Sequence, residues 1–371
     1  MAEKVGLAII GSTGIIGRVH IGAIAQLDSC RVVGINARTQ EPLRQQALEQ
    51  QVVMYAALDE VLEDPEVDAI VIATPHPSHL EITQKAAAAG KHILSEKPMG
   101  VTPSDADGMI SAAKSGGVKL GVLFNNRFRP EAIKAKQLIQ EGAIGAINRV
   151  SMSSVMLRSQ DYYDRLDWRG RWDTEGGGVL INQGIHAIDM MQWLSGMPTS
   201  VFGHLSTHRH KVEVEDYATA VMQYEGGGHG TLHCTTAQAP NQQRIEIWGE
   251  KGALILDNWV ITLHRIGTSV TDFIENNKDV AFNSPDVQTE VFDDFEPIPS
   301  THVPAIDDFA RAILEDRDPA ITGEDGLRSQ ELVAAVTLSG CREKLVSLPI
   351  DRAEYDTLMD ELRSTRRMPG R

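Results

Sequence analysis

Short apolar runs alternate with amphipathic stretches through the first third of the chain. The apolar runs are nearly continuous, as in strands buried on both faces, and they predict strands at 5–10, 31–35, 67–73, 92–94 and 119–124. Helical periodicity predicts helices at about 18–27, 40–50, 58–63, 78–89 and 104–115, the last with Ser104 as N-cap. Strict alternation of strand and helix favours a doubly wound parallel sheet of the Rossmann type.

The pattern changes after residue 124. Near-alternating strands are predicted at 147–157, 200–205, 217–224, 230–236, 244–248 and 253–256, with glycine-rich turns between several of them. Consecutive strands with short turns indicate a large, mainly antiparallel sheet with one open face. Helices are predicted at 130–140, 184–194, 305–315 and 327–344, with 268–301 as a long surface loop. The expected fold class is α/β, with a Rossmann domain at 1–124 and an α/β domain at 125–371.

Composition narrows the possible partners. The 371 residues are 42% hydrophobic and 23% charged, as in an ordinary globular protein, and the net charge of −16 argues against nucleic acid and anionic membranes as partners. No apolar run is long enough to span a bilayer. Three scattered cysteines and an N-terminus that enters a strand almost at once predict a cytoplasmic protein without a signal peptide.

A glycine-rich turn follows the first predicted strand. It runs Gly11-Ser12-Thr13-Gly14-Ile15-Ile16-Gly17, a GxxGxxG spacing rather than GxGxxG. Glycines between a strand and a helix allow a pyrophosphate to approach the positive end of the helix, which predicts a dinucleotide cofactor, NAD or NADP. The next strand ends at Asn36-Ala37-Arg38, without the acidic residue that binds the ribose of NAD. Arg38 therefore favours NADP, although it could equally open an exposed helix.

The stretch Thr74–Gly100 places a candidate reactive group. It predicts a strand end, a helix and a second strand that delivers Glu96-Lys97-Pro98. Ligands of open parallel sheets bind at the carboxyl ends of the strands, so Lys97 is a candidate reactive lysine, with a surface turn as the alternative.

A second candidate group lies around Gly176-Gly177-Gly178. These glycines would let the backbone pass close to a bulky neighbour. Asn182 and His186 stand four residues apart, and on one helix they would share a face. A neutral imidazole beside an amide suits a substrate hydroxyl, with the histidine moving the proton and the asparagine orienting it. A metal site is not predicted, because the spacing suggests no third ligand beside His186 and Asp189.

These motifs resemble the Gfo/Idh/MocA oxidoreductase family. The similarity is carried by AxTPxxxHxxxxxxAxxAGKHxLxEKP at 73–98 and GGGVLxxQGxHxxDxxxWLxG at 176–196, and it continues at 214–232 and 247–256. It implies reversible hydride transfer between NAD(P) and a secondary alcohol of a sugar, sugar derivative or inositol. It also implies a homodimer or homotetramer formed through the C-terminal sheet.

The resemblance also implies roles for individual residues. Lys97 and His186 match the family's proton-transferring pair, and Asn182 stands where many members have aspartate, so it should orient the substrate instead of accepting a proton. Cofactor contacts are expected from residues 11–17 and 36–38 and from Thr74, Pro75, His76, His79, Glu96, Lys97 and Asn125. Substrate contacts are expected from Lys97, Arg127, Trp168, Arg169, Asn182 and His186.

Two other functions are alternatives, because proteins that resemble this chain also perform them. One is a regulatory protein that binds NAD(P) without catalysis, and the other is a glycosidase that uses NAD transiently without net redox change. A pure sensor would need neither Lys97 nor His186. Net production or consumption of reduced nicotinamide separates the dehydrogenase from both alternatives.

Overall fold

The computed structural model describes residues 4–277 and 282–368. The chain forms two compact units that are discontinuous in sequence. The first contains Met1–Phe128, Thr174–Gly176 and Ile298–Gln330, and the second contains Arg129–Asp173, Gly177–Pro297 and Glu331–Arg371. The expected domain ranges, 1–124 and 125–371, divide the sequence at one point. The first compact unit differs from the range 1–124 because it also includes two later segments, Thr174–Gly176 and Ile298–Gln330.

The first unit contains a six-stranded parallel sheet. Its strands are β1 (Val5–Ile10), β2 (Cys30–Asn36), β3 (Val53–Tyr55), β4 (Ala69–Ile72), β5 (His92–Ser95) and β6 (Leu120–Val122). The strand order is β3-β2-β1-β4-β5-β6, so the chain adds strands first on one side of β1 and then on the other. A crevice is expected at this point, between the chain segments that leave β1 and β4. The predicted Rossmann sheet is confirmed. The short strand β3 was missed because only Tyr55 of its three residues is buried.

Helices pack against this sheet because their apolar stripes continue its core. They are α1 (Ile15–Ile24), α2 (Gln40–Gln50), α3 (Leu58–Glu63), α4 (His79–Ala88) and α5 (Pro103–Gly116). The prediction of Ser104 as the N-cap of α5 is wrong. The cap is Thr102, whose hydroxyl accepts the Asp105 N–H while the Asp105 carboxylate accepts the Thr102 N–H. This reciprocal pair satisfies two N–H groups that a cap at Ser104 would leave unpaired.

The second unit contains a nine-stranded sheet. Its strands are β7 (Ile147–Val155), β8 (Ser200–Ser206), β9 (Tyr217–Gln223), β10 (His229–Thr235), β11 (Gln242–Gly249), β12 (Gly252–Asp257), β13 (Val260–Ile266), β14 (Val287–Phe292) and β15 (Val346–Ser347). The order is β14-β13-β12-β11-β7-β10-β9-β8-β15, and β7 pairs with β10 in parallel. The other pairs are antiparallel, which confirms the predicted mainly antiparallel sheet. Burial alternates along β9, so one face is packed and the other is open.

The remaining helices follow in chain order. They are α6 (Pro130–Gln140), α7 (Gln160–Asp164), α8 (Ile185–Ser195), α9 (Val270–Asn276), α10 (His302–Leu314), α11 (Gly323–Arg342) and α12 (Arg352–Thr365). The prediction that two helices close the chain is wrong, since α12 follows them. Asp351 caps α12 by accepting the N–H groups of Ala353 and Glu354. Among the described residues, no helix is both long and apolar enough to cross a membrane.

The predicted surface loop at 268–301 is wrong in part. Helix α9 lies near the N-terminal end of this segment, and β14 lies near its middle and pairs with β13 at the edge of the second sheet. Almost every residue of β14 is exposed, so the sequence has no alternation of apolar and polar residues that would indicate a strand. The strand is defined by its backbone pairing with β13. Residues 278–281 of the predicted loop lie outside the described residues.

Candidate functional site

The glycine-rich turn lies at the reversal point of the first sheet. Its Gly11 and Ser12 N–H groups donate to the Asn36 carbonyl oxygen at 2.8 and 3.2 Å, which joins the ends of β1 and β2. Gly11 has φ +92°, and a Cβ there would lie 2.6 Å from the Ala73 oxygen just after β4. Gly11 is therefore required by the fold, because only glycine combines this φ with so close an approach.

The other two glycines of the turn differ in what they accommodate. A Cβ on Gly17 would meet the Gly11 oxygen at 2.6 Å, so Gly17 permits the turn to pack on α1. A Cβ on Gly14 would meet only the Gly11 oxygen, at an ordinary 3.4 Å, and Gly14 has an unstrained extended backbone. Nothing in the fold itself requires glycine at 14. Its position at the N-terminus of α1 fits the close approach of a cofactor's pyrophosphate.

The predicted ribose-binding residues lie at the end of β2. The Asn36 side-chain amide donates to the Tyr55 carbonyl oxygen at 3.0 Å, so at least one of its polar groups is used within the fold. Ala37 is buried and Arg38 is exposed. Thr13 and Thr39 hydroxyls are 3.4 Å apart, which brings the glycine turn and the start of α2 to the same rim.

Lys97 lies directly beyond β5, at the sheet edge that also carries the glycine turn. Its side chain is partly buried, and this burial lowers the pKa of Lys97 below its ordinary value, while the nearby charges of Glu96 and Glu175 oppose the shift. A lysine with a lowered pKa is a stronger candidate for proton transfer than an exposed lysine.

A buried pair that sequence reasoning missed fixes Glu96. Its Oε1 lies 2.9 Å from Nε2 of His20, and its Oε2 accepts the Lys97 backbone N–H at 3.2 Å. Burial alone would raise the pKa of Glu96, but the hydrogen bond and charge of His20 lower it to about 2. His302 packs edge-on against His20 with ring centres 5.4 Å apart. A charged carboxylate is thus held beside Lys97.

Three further residues enclose this part of the first unit. The Nε2 and Nδ1 atoms of His79 lie 2.8 Å from the Thr74 oxygen and 3.1 Å from the Pro98 oxygen, which ties the segments after β4 and β5 together. His76 Nδ1 lies 2.9 Å from the Glu175 oxygen, and burial lowers the pKa of His76 to about 3. His76 is therefore neutral near pH 7. Glu175, another residue missed from sequence, is buried beside them.

The remaining predicted residues of this unit are held within the fold. Thr74 and Ser78 hydroxyls are 2.7 Å apart, and Pro75 precedes the short turn that carries His76. The Asn125 amide donates to the Thr301 hydroxyl. Arg127, expected to meet substrate, is buried and lies 3.4 Å from Asp325, so this chain already supplies a counter-ion.

The triple glycine turn positions the second candidate group. A Cβ on Gly178 would lie 1.9 Å from the Glu215 carbonyl oxygen, so the bulky neighbour of this turn includes the chain's own backbone. The buried Glu215 carboxylate accepts N–H groups from Gly178 at 2.9 Å and Leu180 at 3.0 Å. Burial raises the pKa of Glu215 to about 7 in spite of these donors. Glu215 thereby fixes the segment that leads to Asn182.

Asn182 and His186 do not lie on one helix, which is the condition under which they would share a helix face. Helix α8 begins at Ile185, so His186 lies in its first turn and Asn182 lies in the preceding turn. That turn is closed by hydrogen bonds from Asn182 N–H to the Gly178 oxygen and from Gly184 N–H to the Val179 oxygen. Both side chains are half-buried. The predicted helix at 184–194 likewise left Asn182 outside, and the spacing of four residues spans the turn that precedes α8.

Trp168 and Arg169 lie in the segment that precedes the glycines. The Arg169 guanidinium lies 3.9 Å from the centre of the Tyr162 ring and 5.5 Å from that of Trp168.

Within the described residues, no group of three histidine, cysteine or acidic side chains could hold a metal ion.

Comparison with known proteins matches both halves of the chain. The model of the oxidoreductase family with an NAD-binding Rossmann fold matches residues 5–124, and that of the GFO/IDH/MocA C-terminal domain matches residues 132–255. The chain is similar to scyllo-inositol 2-dehydrogenase (NADP(+)) IolW of Bacillus subtilis, with 29% identity over 255 residues, 68% of each chain.

Solved structures extend the similarity over almost the whole chain. The WlbA dehydrogenase of Bordetella pertussis, in complex with NADH and UDP-GlcNAcA, is 30% identical with a TM-score of 0.80, covering 94% of this chain and 100% of that one. Levoglucosan dehydrogenase in complex with NADH and L-sorbose is 25% identical with a TM-score of 0.79, covering 94% and 99%. Since the two family models match in order on the two sheets described above, this chain belongs to the Gfo/Idh/MocA family of NAD-binding oxidoreductases.

Proposed function

We propose that this protein is an NAD(P)-dependent dehydrogenase of a secondary alcohol on a sugar, a sugar derivative or an inositol. The observation that carries the proposal is Lys97, a partly buried lysine with a lowered pKa at the carboxyl edge of the sheet that carries the glycine turn. The relatives support the substrate class, since the matched structures contain UDP-GlcNAcA or L-sorbose and IolW acts on an inositol.

Residues of both units have roles in this proposal. The nicotinamide of the bound cofactor supplies the hydride acceptor or donor. Lys97 accepts the proton of the reacting hydroxyl or, as an ammonium, stabilises the alkoxide that develops. The hydroxyl loses a single proton, so His186 acts as the relay that passes this proton between Lys97 and solvent, and the Asn182 amide orients the hydroxyl without itself accepting the proton. Residues 11–17 would hold the pyrophosphate, with Gly14 at the N-terminus of α1 among them.

The test is nicotinamide absorbance with sugars, inositols, sugar acids and nucleotide sugars, each with NAD and with NADP. Turnover that requires Lys97 would establish the dehydrogenase and its substrate class. The exposed Arg38 favours NADP, and this preference stays a prediction that the same assay checks. Cofactor binding without net redox change in any mixture would instead favour the regulatory protein or the redox-neutral glycosidase.

Gly14→Ala is expected to weaken cofactor binding about tenfold, equivalent to about 1.4 kcal/mol, without destabilising the fold. The added methyl group has room within the protein but lies where the pyrophosphate should approach. The measurement is the Kd of NADH and NADPH by fluorescence, together with thermal unfolding.

Gly22→Ala is the matched control for this substitution. Gly22 is exposed on the same helix, and a Cβ there meets nothing within 4 Å. We expect an unchanged Kd and a gain in stability of about 0.5–1 kcal/mol, because alanine is the better helix former. If Gly14→Ala left the Kd unchanged as well, Gly14 would not be a cofactor contact.

A further inference from the structure

Two arginines of the second unit converge on one tyrosine ring. Strand β7 leads to Arg158, and α7 carries Tyr162. The guanidinium carbons of Arg158 and Arg169 lie 5.2 and 3.9 Å from the centre of the Tyr162 ring. We call Arg158, Tyr162 and Arg169 the arginine–tyrosine cluster. The aromatic face holds both guanidinium groups in place without using their N–H donors.

The charge of this cluster has no counter-ion within residues 4–277 and 282–368. Neighbouring Arg165 pairs with Asp161 at 2.6 Å, whereas neither arginine of the cluster has a carboxylate within ion-pair distance in those ranges. Arg158 donates to the Leu157 oxygen at 3.1 Å, and Arg169 donates to the Tyr162 oxygen at 2.7 Å. Both acceptors are uncharged carbonyl groups. The lack is notable in a chain with 51 acidic residues and 35 basic ones.

One edge of the Arg169 guanidinium remains available as a pair of hydrogen-bond donors. Its bond to the Tyr162 oxygen uses Nη1, and its Nε is buried without a hydrogen-bond partner in the described part of the chain. Nε and Nη2 form the other edge of the guanidinium, and this edge suits the two oxygens of a carboxylate or phosphate. A buried donor without a partner costs free energy, so the site gains most from a ligand that supplies an anionic oxygen.

The cluster is connected to the candidate substrate residues. Gln183 donates from Nε2 to the Tyr162 hydroxyl at 2.9 Å. Gln183 follows Asn182 in the chain, and α8 with His186 begins two residues later. Tyr163, the residue after Tyr162 in the chain, is fixed by a 2.8 Å contact between its hydroxyl and that of Thr236, which directly follows β10. A rigid support thus carries the cationic cluster next to the turn that presents Asn182.

We propose that the arginine–tyrosine cluster binds an anionic group of the substrate, so that the protein acts on an acidic sugar derivative in preference to a neutral sugar. The anionic group is a carboxylate or a phosphate, both of which match the free edge of Arg169. Arg127 is excluded from this role by Asp325, and Arg165 by Asp161. The inference rests on the proposed dehydrogenase function and adds the chemical class of its substrate.

The test compares matched pairs of sugars in the cofactor-loaded enzyme. The pairs are glucose with glucuronate and UDP-glucose with UDP-glucuronate, and glucose 6-phosphate is added as a phosphate probe. We expect the wild type to prefer the acidic member of at least one pair. Preference for the uronates identifies a carboxylate as the bound group, and preference for UDP-glucose or glucose 6-phosphate over glucose identifies a phosphate.

Arg169→Gln is expected to lower kcat/KM for the preferred acidic substrate by about 10- to 100-fold, mainly through KM, because a charge-assisted hydrogen-bond pair is lost. The neutral partner should change less than about twofold. Arg169→Lys retains the charge but not the paired donors, so it should recover only part of the loss. Arg165→Gln is the matched control and should change neither substrate.

The outcomes also separate this inference from the proposed function. Turnover of neutral and acidic sugars with equal kcat/KM, or equal losses of both in Arg169→Gln, would overturn the anionic subsite and leave the dehydrogenase intact. Without turnover, calorimetric binding of the same probes to wild type and Arg169→Gln decides. Binding of acidic probes that Arg169→Gln weakens supports the subsite, and equal or absent binding overturns it.

Discussion

Lys97→Met is expected to lower kcat by about 10³-fold while leaving the Kd of NADH and NADPH within about twofold, since the change removes both a proton acceptor and a cation beside the reacting oxygen. Methionine has nearly the length of lysine and suits a partly buried site, so the fold should persist. Steady-state rates with a substrate found in the nicotinamide assay, together with cofactor titration, check the two parts of the prediction.

Lys85→Met is the matched control for Lys97→Met. Lys85 is exposed on α4 and pairs with Glu81 at 2.7 Å, so its loss should have little effect on stability and leave kcat unchanged. If Lys97→Met weakened cofactor binding as much as it lowered turnover, Lys97 would be a cofactor ligand. Retained turnover would remove it from the mechanism.

The pH dependence of the Lys97 reaction has a definite sign. In the direction of alcohol oxidation the active form of the lysine is the neutral amine, so the rate rises with pH and levels off above the pKa. Burial places this pKa below the ordinary value of 10.5. We expect the midpoint of this limb to lie below pH 10.5 in the wild type and the limb to disappear in Lys97→Met.

The fold could be predicted where local pattern and tertiary environment agree. Strand β1 is an apolar run buried on both faces, and α2, α3 and α6 have the predicted bounds, with Pro65 shortly after α3 and Pro130 as the first residue of α6. Strand β14 could not be predicted, since its exposed residues carry no periodicity and it exists through pairing with β13. Thr102 rather than Ser104 caps α5 because the reciprocal partner Asp105 stands three residues after Thr102.

The candidate site could be predicted only where a local motif carries the chemistry. The glycine turn, Lys97 and the triple glycine are local signals. His20 is an isolated histidine in a helix, and its partner Glu96 lies 76 residues away, so only the parallel sheet brings them together. Glu175 and Glu215 were missed for the same reason. The choice of Arg169 over Arg127 and Arg165 likewise needed the structure, because sequence cannot show that Asp325 and Asp161 pair with those two.

His186→Ala is expected to lower kcat by about 10²- to 10⁴-fold, the usual contribution of a positioned acid or base. In the direction of ketone reduction the histidine donates a proton, so its contribution grows over the pH range in which the imidazole becomes protonated as the pH falls. The loss in the variant should therefore be greatest at low pH. Rates measured across that range in both directions check the prediction.

His186→Gln and His229→Ala separate proton transfer from positioning. Glutamine can hydrogen-bond to the substrate but cannot exchange a proton, so His186→Gln should keep KM near the wild-type value and lose the same pH-dependent limb. His229 is exposed on β10, and its replacement by alanine should alter neither kcat nor the pH profile. A reduced rate with an unchanged pH profile in both His186 variants would assign His186 to orientation, with Lys97 as the sole proton-transferring side chain.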